Sequence, residues 1–254
     1  MHGPAGVVTV VLYETALGGL VLLWLAPLWG VVRAGFFKLA GATVLGCAVL
    51  AWLAGRGELA AAGPDGRMAA LWLGVFAAAV LAWQVLLYAR AGVARWVGMA
   101  AVAPGLVAGL PLAQLSGRPA LGALALATGA LFLGATLDGL LLGHWYLVDR
   151  RLSNRPIAAL AAWLFAGVAA ALVSAALGGA RGGGVDQALS PLLAFPNLTV
   201  YLAVGLVLLC GLMASFIRVL VRGNSIQAAT GMFYLAVIMA LAAEFAAKVY
   251  FFPS

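Results

Sequence analysis

Eight long apolar runs dominate this chain, and they restrict its fold more than any other feature. A transmembrane α-helix needs about 20 consecutive, mostly apolar residues, and every run is long enough to cross a bilayer as a helix. None shows the alternation over about ten residues that marks a strand of a membrane β-barrel. We therefore predict an all-α polytopic membrane protein with eight transmembrane helices. The runs cover residues 7–32, 37–55, 69–89, 96–115, 120–148, 157–178, 198–221 and 226–250.

The composition leaves no room for a separate soluble domain. Hydrophobic residues make up 66% of the chain and charged residues only 8%, whereas soluble domains are about half apolar and a quarter charged. Eight helices with both ends on one side permit two four-helix bundles, which predicts one half over residues 1–118 and another over 119–254. Self-similarity at an offset of 120 residues is weak, so duplication of one half stays open.

Turn-forming residues separate several of the runs. The breaks are Gly63-Pro64-Asp65-Gly66, Ser116-Gly117-Arg118-Pro119 and Arg181-Gly182-Gly183-Gly184.

The basic residues predict an orientation in the membrane. The net charge is +7, from 14 Lys and Arg against 7 Asp and Glu, but the basic residues lie in small groups at the ends of the runs. Nucleic acid is therefore not an expected partner, because it requires a clustered basic stripe. The odd-numbered loops carry most of the basic residues, which places these loops in the cytoplasm of a bacterial plasma membrane and both termini on the other side. The basic residues of the odd loops are Arg33, Lys38, Arg90, Arg95, Arg150, Arg151, Arg155, Arg218 and Arg222.

The chain contains only two histidines, His2 and His144. Since only His144 falls inside a predicted helix, a haem held by two intramembrane histidines is excluded, and so is a multi-histidine metal site. Cys47 and Cys210 both lie in apolar runs and are interpreted as small hydrophobic residues. Any electron carrier would thus be mobile or belong to a partner subunit.

Three carboxyl groups fall inside the predicted helices: Glu14, Asp138 and Glu244. An ionisable group at the bilayer centre costs about 2.5–3.5 kcal/mol unless it is paired or hydrated, so these residues are the best candidates for function. Asp138 lies about ten residues, or about 15 Å, from the inner end of its helix, close to the midplane. Glu14 and Glu244 lie at similar depths in the outer half. We predict that all three take part in proton transfer.

Each carboxyl group also has a structural interpretation. Asp138 has no basic neighbour within one helical turn, so it needs a partner from another helix or is neutral, and a hydrogen bond between helices would explain it. Lys248 follows Glu244 by four residues, which suits an interfacial ion pair. Glu14 has no charged neighbour, so its structural explanation is closeness to the outer interface.

Further polar side chains are predicted in the inner half of the membrane. A quinone headgroup is a flat apolar ring with two carbonyls, and it needs hydrogen-bond donors and a proton source. An aromatic belt and snorkelling also explain Tyr146 and His144. The candidate quinone ligands are His144, Tyr146, Arg218, Gln227, Thr230 and Tyr234.

The chain has two predicted four-helix bundles in 254 residues and the segment Tyr13-Glu14-Thr-Ala-Leu-Gly18-Gly19 in the first helix. In these two features it resembles integral membrane subunits of the NrfD and polysulfide-reductase type. The resemblance implies a subunit without a cofactor of its own, which exchanges electrons between membrane quinone and an iron–sulfur partner and anchors the complex. None of that family's quinone ligands is matched by position. The segment from Gln227 to Tyr234 is also similar to uncharacterised bacterial eight-helix proteins, which imply no function.

Two other classes of protein remain open. A small-molecule or ion transporter is suggested by Pro27, Pro104-Gly105, Pro111 and Gly205, which could break helices and expose backbone carbonyls. A structural anchor or assembly factor is suggested by the small-residue pairs Gly139/Gly143 and Gly105/Gly109, which could dock a partner helix. A lipid-accessible slot beside His144 and Thr230 would favour quinone, whereas a hydrated cavity around Asp138 would favour transport.

Overall fold

The computed structural model describes residues 4–89, 91–149, 151–178, 198–249 and 251. Within these ranges the chain forms eight α-helices, and each is long and apolar enough to cross a membrane. The prediction of an all-α, multi-pass membrane protein is confirmed. The predicted break at Arg181–Gly184 lies outside the described residues. The helices are α1 (Pro4–Leu25), α2 (Ala34–Ala61), α3 (Gly63–Ala89), α4 (Ala91–Leu115), α5 (Pro119–Val148), α6 (Arg155–Gly178), α7 (Leu198–Arg222) and α8 (Ile226–Lys248).

Two helix boundaries differ from the sequence prediction. Helix α1 was expected to reach residue 32 but ends at Leu25, because Pro27 has no backbone N–H and disfavours helix at the residue before it. The break expected at residues 63–66 is instead the first turn of α3. Only Ala62 separates α2 from α3, and Gly63 makes the reversal with φ +87°, a backbone conformation that glycine adopts without strain.

The helices pack in two groups of four. Helices α1, α2, α3 and α4 contact one another in sequence around a ring that closes between α1 and α4. Helices α5, α6, α7 and α8 form a second ring that closes between α5 and α8, and the two groups meet mainly along α1 and α5. The division at residue 118 and the duplication remain predictions.

Helices α1 and α5 run parallel and cross with their backbones in contact. A Cβ atom on Gly18 would collide with the backbone of Ala130, and a Cβ atom on Gly134 would collide with the backbone of Gly18. Only small residues allow two membrane helices to approach so closely. This crossing holds the two groups together near the middle of the molecule.

The molecule has two ends, which we call the basic end and the distal end. The basic end contains residues 26–33, 149, 151–154 and 223–225, where α1, α5 and α7 end. The distal end contains Ala62, residues 116–118 and Lys248, where α5 begins and α8 ends.

Candidate functional site

A buried cluster of charged side chains links α1, α5 and α8 near the distal end. The ammonium group of Lys248 lies 2.8 Å from Glu14 Oε1 and 3.2 Å from Glu244 Oε2. Its nitrogen also donates a hydrogen bond of 2.9 Å to the backbone oxygen of Ala125. The two carboxylates contact Lys248 as ion pairs, and the backbone oxygen of Ala125 accepts its hydrogen bond.

The cluster is almost completely enclosed. Glu14 is 0% exposed, and Glu244 and Lys248 are each 4% exposed. Gly129 makes room for Glu14, since a Cβ atom there would lie 2.6 Å from the Glu14 carboxyl carbon. Glu14 Oε2 has no hydrogen-bond partner among the described residues.

These contacts correct two interpretations of the sequence. The pair of Glu244 and Lys248 exists but is buried rather than interfacial. Glu14 does not depend on closeness to the interface, because Lys248 is its direct partner. The two glutamates are thus bridged by an ammonium group, and two carboxylates share a single positive charge. Such a cluster has a net negative charge unless it takes up one proton or another cation, and burial makes that excess costly.

A cavity of about 130 Å³ lies beside this cluster, between α5, α6, α7 and α8. Its walls are mostly small or aliphatic side chains, among them Ala171, Val207 and Ala243. Its polar lining consists of Thr128, Ser174, Thr199, Glu244 and Lys248. The charged cluster therefore forms part of the wall of a largely apolar chamber.

The second bundle is tightly packed one helical turn from the cavity toward the basic end. A Cβ atom on Gly167 would lie 2.8 Å from the Cα atom of Phe132, so α5 and α6 come close together at that level. Phe132, Cys210 and Ala240 are all 0% exposed there. In this conformation the cavity belongs to the distal half of the bundle.

Asp138 occupies a different environment, in the seam between α1 and α5. It is 0% exposed, and neither carboxyl oxygen has a hydrogen-bond partner among the described residues. It faces Gly19 of α1, where a Cβ atom would lie 3.7 Å from Asp138 Oδ1 and 3.2 Å from a methyl carbon of Val44. This carboxyl group does not line the cavity described above.

The candidate quinone ligands of the inner half differ in their surroundings. His144 is exposed, whereas the neighbouring Tyr146 is buried and donates a 2.5 Å hydrogen bond to the backbone oxygen of Ser153. Thr230 is buried against Gly143 and donates to the oxygen of Ile226 in its own helix. Two of the six candidates, Tyr146 and Thr230, are therefore already engaged in backbone hydrogen bonds.

The other candidates of this group lie on the outside of the second bundle. Gln227 and Arg218 are exposed, and the guanidinium of Arg218 lies 5.8 Å from the ring centre of Phe165. Tyr234 is 47% exposed, although only one helical turn separates it from the buried Thr230. None of the six candidates lines the cavity at the distal end.

The small-residue pairs expected to dock a partner are filled by helices of the same chain. Phe233 packs against Gly139 and Thr230 against Gly143, so α8 occupies this face of α5. The hydroxyl of Tyr13 donates 2.9 Å to the backbone oxygen of Gly105 and lies against Gly109.

The residues expected to break helices behave differently from one another. Pro104 and Pro111 both lie inside the continuous helix α4. Pro27 lies beyond the end of α1, so it terminates that helix rather than interrupting it.

The sequence analysis missed several residues of this site. Thr128, Ser174 and Thr199 line the cavity, and the oxygen of Ala125 binds Lys248. Depth along the helices did not single them out, because Thr128 lies well inside α5 whereas Thr199 lies at the very start of α7. Among the described residues, no group of three His, Cys, Asp or Glu side chains is arranged to hold a metal ion.

The fold and the site define a multi-pass α-helical membrane protein with a buried charge cluster beside an internal cavity. No protein-family model, curated protein or solved structure matches the chain.

Proposed function

We propose that this protein is a quinone-binding membrane subunit of a respiratory electron-transfer complex, and that the headgroup binds in the distal cavity rather than at the basic end. The observation that carries the proposal is the contact of a largely apolar cavity with the cluster of Glu14, Glu244 and Lys248. The cluster can hold an exchangeable proton because it contains two carboxyl groups for one ammonium group.

The cavity walls suit the two parts of a quinone headgroup. Aliphatic side chains such as Val207 and Ala243 offer an apolar surface for the flat ring. The hydroxyls of Ser174 and Thr199 are candidate donors to the ring carbonyls. Ligand sites commonly combine an apolar lining with a few polar groups that fix orientation.

Quinone reduction to quinol consumes two electrons and two protons. In this proposal Glu244, which lines the cavity, passes one proton to a quinone oxygen, takes up a second proton from the distal side and passes it to the other oxygen, while Glu14 shares its charge through Lys248. The electrons come from a redox cofactor on a partner subunit, the iron–sulfur class implied by the NrfD resemblance. With the predicted orientation, the distal end faces the non-cytoplasmic side of a bacterial plasma membrane.

The cavity can be filled without touching the charged cluster. Ala243 is buried and lines the cavity, whereas its neighbour Ala242 is exposed on the outside of the same helix. Ala243→Leu should weaken binding of a short-chain ubiquinone or menaquinone analogue to the purified protein by about tenfold or more, equivalent to about 1.4 kcal/mol. Ala242→Leu should leave binding unchanged.

Equilibrium dialysis of the quinone analogue provides the readout, and thermal unfolding checks that each variant is folded. If Ala243→Leu unfolds, Thr199→Val removes one of the two proposed hydroxyl donors from the same lining. Equal quinone affinity in the wild type, Ala243→Leu and Thr199→Val would overturn the proposal.

A transporter for a small cation is the second candidate, and one observation favours it. The cluster has one more carboxylate than ammonium, so it would attract a cation into the cavity. Transport also requires a path from the cavity to the basic end, and Phe132 and Gly167 pack closely across that path. Uptake of an organic cation into proteoliposomes, abolished by Glu244→Gln, would favour this candidate over the quinone site.

A further inference from the structure

The first turn of α6 and the last turn of α7 form a corner at the basic end. The side-chain nitrogen of Asn154 donates 2.9 Å to Asn224 Oδ1 and 3.3 Å to the backbone oxygen of Val221. These bonds bring the start of α6 against the end of α7. Arg155 directly follows Asn154, and Arg222 directly follows Val221, so their backbones are close together.

This corner gathers four exposed arginines: Arg151, Arg155, Arg218 and Arg222. None of them has an ion-pair partner among the described residues. At the basic end the only carboxylate in the described part of the chain is Asp149, and it is paired with Arg33 at 3.1 Å. The corner therefore carries an uncompensated positive charge.

Other basic residues of this end lie singly against aromatic rings. Lys38 lies 4.3 Å from the ring centre of Tyr88, and Arg95 lies 5.9 Å from that of Trp96. They are also separate residues rather than a group. The arginine corner is thus distinguished by number and by the absence of carboxylates.

The surface next to the arginines is suited to lipid chains. Arg218 lies one helical turn, or about 6 Å, deeper in the molecule than Arg222, and its guanidinium stacks near Phe165. Val219 and Leu208 of α7 are more than half exposed, and both lie within about 60° of Arg222 around the helix. The cationic group therefore passes directly into an apolar strip on the outside of the helix.

We infer that this corner binds an anionic phospholipid, with the phosphate held by Arg218 and Arg222 and an acyl chain along the apolar strip of α7. Guanidinium groups hold phosphate through paired hydrogen bonds, which makes arginine better suited to this role than lysine. Basic pockets between membrane helices are known to bind anionic lipid headgroups. The inference is independent of the distal cavity and of the proposed quinone.

Native mass spectrometry of the detergent-purified chain tests the inference, with phosphatidylglycerol or phosphatidylcholine added at equal concentration. The wild type should retain phosphatidylglycerol and lose phosphatidylcholine. Arg218→Gln with Arg222→Gln should weaken phosphatidylglycerol retention by about 25-fold, or about fivefold for each guanidinium. The double variant Arg218→Lys with Arg222→Lys should retain more phosphatidylglycerol than the double glutamine variant, because both positive charges remain.

The matched control is Arg56→Gln with Arg67→Gln, two exposed arginines at the opposite end of the molecule. This pair should leave phosphatidylglycerol retention within about twofold of the wild type. That change is smaller than the effect of about fivefold that each guanidinium of the corner should have, so the two double variants can be told apart. Equal loss in both double variants would overturn the inference, as would equal retention of phosphatidylcholine. Displacement of the lipid by millimolar inorganic phosphate would assign the corner to free phosphate instead.

Discussion

Helix α5 takes part in an ion-pair site at each of its ends, and the two sites differ in exposure. At the distal end, Ala125 contributes a backbone oxygen to the enclosed group of Glu14, Glu244 and Lys248. At the basic end, Asp149 pairs with Arg33, and their side chains are 12% and 76% exposed. The same type of interaction is therefore buried at one end and reaches the surface through Arg33 at the other.

From this comparison we expect the loss of stability on removing one charge of an ion pair to depend more on the burial of the pair than on its N···O distance. Arg33 and Asp149 lie 3.1 Å apart and Lys248 and Glu14 lie 2.8 Å apart. An exposed group that loses its partner is solvated again, whereas a buried group cannot be. Asp138 adds a third case, since it is buried without a partner among the described residues and is expected to remain protonated and neutral.

The largest effect is expected for Lys248→Met. Removal of the ammonium leaves two buried carboxyl groups without compensation, so the free energy of unfolding in detergent should fall by about 3–5 kcal/mol. Lys38→Met is the matched control, because Lys38 contacts only an exposed tyrosine ring. Replacing both glutamates by glutamine in the Lys248→Met background should recover much of the loss. A loss of about 1 kcal/mol or less for Lys248→Met would contradict the charged cluster.

A smaller effect is expected for Asp138→Asn. If the carboxyl is neutral, an amide of nearly the same shape should change the free energy of unfolding by about 1 kcal/mol. Lys248→Met serves as the comparison, and it should cost more because it leaves two buried carboxyl groups without a counter-charge. An equal or larger loss for Asp138→Asn would show that Asp138 is ionised in the folded protein. Both variants can be measured in the same thermal unfolding assay.

The smallest effect is expected for Arg33→Gln. An exposed ion pair contributes about 0.2–1 kcal/mol and is screened by salt, so the difference from the wild type should vanish at about 1 M salt. The Lys248→Met difference should persist at the same salt concentration. Unfolding measured at low and high salt in both variants makes the comparison. A salt-independent loss for Arg33→Gln would mean that this end is less open than the structure shows.

Sequence reasoning predicted the helices well and the site only in part. The eight runs were recognised because a membrane span needs a fixed length of apolar residues, a purely local property. The pair of Glu244 and Lys248 was also local, since four residues separate neighbours on one helix face. The contact between Glu14 and Lys248 joins the first helix to the last, and no sequence periodicity connects them.

The candidate quinone ligands illustrate the same limit. Tyr146 and Thr230 were correctly placed toward one end, but their hydroxyls are engaged by backbone oxygens of Ser153 and Ile226. Helical spacing alone could not distinguish Thr230, which is buried, from Tyr234, which is about half exposed. The sequence shows on which face of a helix a residue lies. It does not show which neighbouring helix, if any, packs against that face.

The sequence by itself determined that this is an eight-helix membrane protein with a few costly ionisable groups, because apolar length and charge are properties of single segments. Only the tertiary structure decided that Lys248 neutralises Glu14, that the cavity lies at the distal end, and that Asp138 is isolated beside Gly19. Those outcomes depend on which helix faces meet. Glycines such as Gly18 and Gly134 permit a close crossing, but they do not specify from sequence which helix will occupy it.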